Sequence, residues 1–179
     1  MTALDRITQE FKDLIRNPIS NCGVTIGYFD DSNPNPMKWR ITLTGPKDSP
    51  YKGGLFYLSA DFPQSYPQNP PEVCFITPIY HVNINPNAPK YPGAEPLGHV
   101  CISTLNWWKP EYSMREVLTN IFALFYLGNP DSPYGPERAL EFRKNRATYD
   151  EKARKFTRKY AHPLLGFKEY PKNQNWNFS

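Results

Sequence analysis

An α+β domain is what this sequence predicts, from three observations. An apolar stripe at helical spacing opens the chain, short β-type runs joined by turn clusters follow, and helical periodicity returns after Trp108. The opening stripe is Leu4, Ile7, Phe11, Leu14 and Ile15, with Asp, Glu, Lys and Arg between them. Asn17-Pro18 ends it, because a residue before proline avoids the α region. The polar face carries Arg6, Lys12 and Arg16, either as a solvated surface or as a face that docks a partner.

Four β-type runs come next. Cys22–Phe29 passes through Asp30-Asp31-Ser32-Asn33-Pro34-Asn35-Pro36 into Lys38–Thr44, where Trp39, Ile41 and Leu43 alternate with polar residues. A turn cluster at Gly45-Pro46-Lys47-Asp48-Ser49-Pro50 precedes Leu55–Ala60, with Phe56 and Leu58 expected on one face. After the proline-rich 62–71 stretch comes Glu72–Ile76. Short links between consecutive strands favour an antiparallel meander of four.

The segment from His81 to Cys101 is rich in Pro, Gly and Asn, residues that suit neither a helix interior nor a central strand. The expectation is an ordered loop with a thiol at its end, a place where function concentrates. Beyond it, Ser113-Met114-Arg115-Glu116 fits a capping box. Val117, Leu118, Ile121, Phe122, Leu124 and Phe125 then make a helix for the core, and Gly128-Asn129-Pro130 stops it. Pro136–Arg143 and Arg146–Tyr160 predict two more helices, the last with Tyr149, Ala153, Phe156 and Tyr160 on one stripe. His162–Ser179 has no period. The division is therefore a core over residues 1–161 and a C-terminal extension over 162–179.

Bulk properties narrow the function classes. The 179 residues are 39% hydrophobic and 15% aromatic, enough for one folded core. A net charge of +4 without a basic run argues against a dedicated nucleic-acid binder. Cys22, Cys74 and Cys101 have no metal-like or disulfide-framework spacing. No apolar h-region opens the chain and no run of apolar residues reaches membrane length, so the expectation is a cytoplasmic or nuclear chain with reduced thiols and no membrane partner.

A cysteine closing a rigid loop serves as nucleophile, metal ligand, redox sensor or packing. As a nucleophile, Cys101 needs access and a stabiliser for developing negative charge, and Asn83 offers a neutral amide. His99, two residues before the thiol, could favour the thiolate. A Cys/His/Asn hydrolase has its residue types here but no flanking signature. A zinc site from His81, His99 and Cys101 has no fourth ligand at a usual spacing. Cys74, on an apolar run, reads as core packing, and Cys22 as an edge filler.

Several stretches, in order, resemble the ubiquitin-conjugating enzymes. They are Gly45-Pro46-Lys47-Asp48-Ser49-Pro50-Tyr51-Lys52-Gly53-Gly54, Phe62-Pro63-Gln64-Ser65-Tyr66-Pro67 with Pro70-Pro71, and Tyr80-His81-Val82-Asn83-Ile84. Gly98-His99-Val100-Cys101-Ile102, Trp108-Lys109-Pro110 and Asn129-Pro130-Asp131-Ser132-Pro133 complete the set. The resemblance runs from about Leu4 to Ala161 and implies the ubiquitin-conjugating (UBC) fold: an N-terminal helix, a four-stranded antiparallel meander, an active-site loop and further helices.

It also implies an activity. Cys101 would accept ubiquitin from an activating enzyme as a thioester and pass it to a substrate lysine or a ligase cysteine. Asn83 matches the Asn of the family's His-Pro-Asn triad and would stabilise the oxyanion or the loop. His81 matches the triad His, with a structural role. Asp131 and Ser132 fall in the family's acidic gate and would orient the lysine and assist loss of its proton. Arg6 and Lys12 on the first helix, with Gln68 and Pro110-Glu111 on two loops, fall on the surface that meets the activating enzyme and ligases. Partners are thus ubiquitin or a ubiquitin-like modifier, the activating enzyme, a ligase and a substrate protein. No cofactor is expected, since ATP is used by the activating enzyme. A different modifier, or a non-catalytic ubiquitin-binding adaptor of the same fold, are the alternatives.

The departures carry expectations too. Val82 replaces the triad Pro, so the turn loses a fixed φ, and activity is expected to survive because Asn83 remains. About ten extra residues separate Asn83 from Cys101, by alignment of turn residues. Tyr91-Pro92-Gly93 lies among them and is a candidate lid, lysine selector or ligase contact. Ser132 stands where many relatives carry Asp, and its Ser-Pro dipeptide is a candidate phosphosite. Ser103 replaces another frequent acid, so Asp131 is expected to carry more of the work at the gate. Gln68 and Glu111 depart from the aromatic and Ala common there and suggest a narrower ligase set. Asp5 softens the basic face.

Overall fold

A computed structural model describes residues 1–20, 22–89 and 96–162. Tyr91-Pro92-Gly93 and the extension from residue 163 onward lie outside the described residues.

Helix α1 spans Ala3–Arg16. Thr2 caps it: its Oγ1 accepts the Asp5 N–H at 3.1 Å while Asp5 Oδ2 accepts the Thr2 N–H at 2.9 Å. Ile7 and Leu14 are buried, and Phe11 stacks on Tyr28 and meets Trp39 edge-on. The apolar stripe therefore seats the helix on β1 (Val24–Tyr28) and β2 (Lys38–Thr44).

The sheet continues through β3 (Leu55–Asp61) and β4 (Glu72–Phe75), consecutive strands pairing antiparallel in the expected meander. Phe56 and Leu58 on one face of β3 and Tyr57 and Ser59 on the other are all buried, so the strand is covered on both faces. The expected four-stranded sheet is corrected in one respect: among the described residues it has six strands, in the order β1-β2-β3-β4-β6-β5.

Strands β5 (Ile84–Pro89) and β6 (Pro96–Val100) come from the segment expected to be a loop. Its prolines do not prevent pairing because of where they fall. Pro86 and Pro89 lie on β5, the outermost strand, and Pro96 is the first residue of β6. The register shifts between Asn85 and Ala88, an irregularity at Pro86-Asn87.

After β6 come a short helix α2 (Ser103–Asn106), then α3 (Met114–Leu124), α4 (Pro136–Lys144) and α5 (Arg146–Tyr160). Glu116 Oε2 accepts both the N–H and the hydroxyl of Ser113, as the S-x-x-E pattern predicts. Val117, Leu118, Ile121 and Phe122 are buried, and so are Tyr149, Ala153, Phe156 and Tyr160. The chain closes on the sheet where the Leu55 N–H donates to the Ala161 carbonyl at 2.9 Å.

Candidate functional site

The pairing of β5 with β6 creates the site. Ile84 faces Val100 in register, and one residue further the Cys101 N–H donates to the Asn83 carbonyl at 3.0 Å. Asn83 enters the strand pair and Cys101 leaves it, so residues far apart in sequence end side by side. Cys101 is a half-buried free thiol; Cys74 is buried in β4, as expected for packing, and Cys22 packs partly against the core before β1.

The Asn83 carboxamide is 1% exposed and does not turn to the sulfur. Its Nδ2 donates to the carbonyls of Asn129 at 2.8 Å and Ser132 at 2.9 Å, and its Oδ1 accepts the Asn129 N–H at 2.8 Å. Both amide hydrogens are thus spent on the 129–132 segment. In this geometry the amide is engaged with the 129–132 segment and is not presented to the sulfur.

His81 sits beneath the turn, 2% exposed. Its Nδ1 accepts the Asn83 N–H at 3.0 Å, so Nε2 carries the ring proton and donates to the Leu124 carbonyl at 2.9 Å. Burial lowers its pKa to about 4, and the ring stays neutral. Arg138 of α4 donates to the carbonyls of His81 and Ile84 from the other side.

Val82 makes a bond the family's proline could not. Its N–H donates to the Tyr149 hydroxyl at 2.9 Å, and the Tyr51 hydroxyl donates to the Tyr80 carbonyl at 2.8 Å beside it. The lost constraint on φ is therefore replaced by a buried hydrogen bond from α5. The Val82 carbonyl accepts the Tyr134 N–H at 2.9 Å. Val82 also packs so close to Gly128 that a Cβ there would lie 3.1 Å from Val82 Cγ1 and 2.8 Å from Phe142. A side chain at position 128 would require the Phe142 ring and Val82 to shift.

Around the sulfur, Ser132 Oγ lies 3.7 Å away and Asn106 Nδ2 of α2 donates to it at 3.3 Å. Asp131, expected to carry more of the gate's work, is highly exposed and its carboxylate pairs with Arg143 of α4. His99 does not reach the thiol: its Nδ1 lies 3.1 Å from the Tyr134 hydroxyl on the gate segment. Among the described residues, no cluster of three or more His, Cys, Asp or Glu side chains could hold a metal.

The partner-surface residues divide. Lys12, Gln68 and Glu111 are exposed and Pro110 is half-buried. Arg6 is not a free surface charge: it pairs with Glu10 and donates to the Tyr112 carbonyl at 3.1 Å. Glu10 also accepts the Tyr66 hydroxyl at 2.8 Å and the Met114 N–H at 2.7 Å, tying α1 to the start of α3. Trp108 Nε1 donates to the Pro67 carbonyl at 2.7 Å, which clamps the loop of Gln68 to the loop of Pro110 and Glu111.

Sequence reasoning missed Asn106, Tyr149 and Arg138. Asn106 and Arg138 leave no periodic or motif signal, and the stripe that holds Tyr149 marks it for the core without revealing its hydroxyl's bond to Val82. Residues 6–157 match the family model described as ubiquitin-conjugating enzyme.

Proposed function

The chain belongs to the ubiquitin-conjugating enzyme family, and on that premise we propose that Cys101 carries ubiquitin as a thioester and transfers it to substrate lysine, usually with a ligase. The observation that carries this reading is the half-buried Cys101 thiol, set at the mouth of a turn whose other members are buried and fully hydrogen-bonded. Such a site keeps the sulfur reachable while its surroundings stay fixed.

In loading, the Cys101 thiolate attacks the carbonyl of the activating enzyme's thioester and that enzyme's sulfur leaves. In discharge, a lysine amine attacks the new thioester carbonyl, loses a proton, and Cys101 departs as thiolate. ATP is used upstream, and no cofactor is assigned to this chain. The hydrogen bonds of Asn83 support a positioning role, in which it holds the 129–132 gate against the turn. Ser132 Oγ of the gate lies 3.7 Å from the sulfur. Asp131, released from Arg143, is the acid that would orient the incoming lysine. The clamped loops of Gln68 and Glu111, with exposed Lys12, suit a protein partner of restricted range.

Incubation with an activating enzyme, ATP and ubiquitin, followed by a non-reducing gel, tests the proposal. A thiol-sensitive adduct is expected, absent in Cys101→Ala and replaced by a longer-lived oxyester in Cys101→Ser. An adduct only with another ubiquitin-like protein reassigns the modifier. No adduct with any modifier leaves the adaptor reading.

A further inference from the structure

With both amide hydrogens of Asn83 engaged elsewhere, the side-chain amide in contact with the sulfur is Asn106, whose Nδ2 donates to Cys101 Sγ at 3.3 Å. Resting on the reading of Cys101 as acyl carrier, we propose that Asn106 is a catalytic residue that stabilises the sulfur's negative charge during transfer.

The chemistry favours this placement. When the amine lone pair forms the C–N bond, the carbonyl π pair moves to oxygen; collapse restores the carbonyl and breaks the C–S bond. The bonding pair leaves on Cys101 Sγ, and the amine proton goes to water or to the gate. A neutral thioester sulfur is a poor hydrogen-bond acceptor, whereas a thiolate is a good one. The Asn106 bond therefore strengthens along the reaction, which is the requirement for accelerating it. A better-stabilised thiolate is also a better leaving group.

The backbone supports the geometry. Asn106 closes α2, where its own N–H donates to the Ile102 carbonyl at 3.0 Å and the Trp107 N–H donates to the Ser103 carbonyl at 2.8 Å. This short turn of helix returns the chain toward the sulfur five residues after leaving it. Ser132 Oγ, on the gate, is a further polar neighbour of Sγ at 3.7 Å. Asn106 itself is exposed, so its replacement leaves the core untouched.

Two readouts on the 179-residue chain test the proposal, with Asn106→Ala and the isosteric Asn106→Asp. The first is alkylation of Cys101 by iodoacetamide at pH 7, which needs no ubiquitin. The second is single-turnover discharge of preloaded thioester to free lysine across lysine concentrations. Asn106→Ala should alkylate more slowly and lower the maximal discharge rate about tenfold with KM for lysine unchanged, the scale of one hydrogen bond to a charged group. Asn106→Asp should be slower than Asn106→Ala in both, because a carboxylate repels the thiolate. Rates for Asn106→Ala within about twofold of the unsubstituted chain, or Asn106→Asp no slower than Asn106→Ala, overturn the assignment. If the unsubstituted chain forms no adduct with any modifier, the acyl-carrier reading fails, and alkylation still decides whether Asn106 stabilises the sulfur.

Discussion

At the scale of single residues, the turn before β5 is a set of buried polar atoms each with its own partner. Asn83 alone makes three side-chain hydrogen bonds to the gate segment. Asn83→Ala strands those groups and should lower unfolding free energy by about 2 kcal/mol, read as a fall in thermal midpoint of roughly 4–8 °C. Discharge should slow by about 10²-fold, the scale of misplacing the gate by roughly 1 Å, while thioester loading stays nearly intact. Equal loss in both steps would contradict a gate role. His81 adds a pH dependence. Its pKa is about 4 when folded against an ordinary 6.5, so between these values the unfolded chain binds the extra proton. Stability from this group is full above about pH 6.5 and declines as pH falls toward 4, by at most roughly 3 kcal/mol in total. Urea unfolding followed across that window should show the decline, and His81→Gln should remove its part of the slope.

At the scale of elements, α5 supports the His81–Asn83 turn from beneath. The Val82 N–H to Tyr149 bond links residues separated by the whole of β5, β6 and three helices. Tyr149→Phe leaves that N–H buried without its acceptor, at a cost of about 1–3 kcal/mol. In a Val82→Pro background there is no N–H to strand, so the same substitution should cost much less. A double-mutant cycle measured by chemical denaturation checks the coupling; additive losses would mean that the tyrosine acts by packing alone. The α1–α3 junction follows similar logic: Glu10 gathers Arg6, Tyr66 and the Met114 N–H at one carboxylate. It sets the angle at which the exposed face of α1 is presented.

At the scale of the whole molecule, one aromatic cluster joins the sheet to the site. Phe125, at the end of α3, meets Phe56 and Phe75 of the sheet, Phe122 of its own helix, and Tyr51, whose ring lies 5.7 Å from His81. Phe125→Ala should cost about 3–5 kcal/mol in calorimetric or denaturant unfolding, a large share of what holds a single domain together. The same variant should loosen the His81 turn, visible as faster hydrogen exchange at the Val82 and Asn83 amides.

The elements set by local physics were legible in the sequence. The stripe on α1, the alternation in β2, the Ser113–Glu116 cap and the Tyr149–Tyr160 stripe each depend on residues a turn or a pleat apart. The motif order around His81, Asn83 and Cys101 was legible too, and it led to the right family. Hidden were the β5–β6 pair beyond the meander and the side-chain contacts that packing alone decides. The prolines of the 84–100 segment looked like loop, and only an edge position in the assembled sheet makes them compatible with a strand. The partners of the Asn83 amide, the Tyr149 support of Val82, the Arg143 hold on Asp131 and the Asn106 contact with sulfur were likewise decided by tertiary structure. A side chain's type says what bonds it can make; only the packed chain brings one particular partner within about 3 Å, the reach of a hydrogen bond.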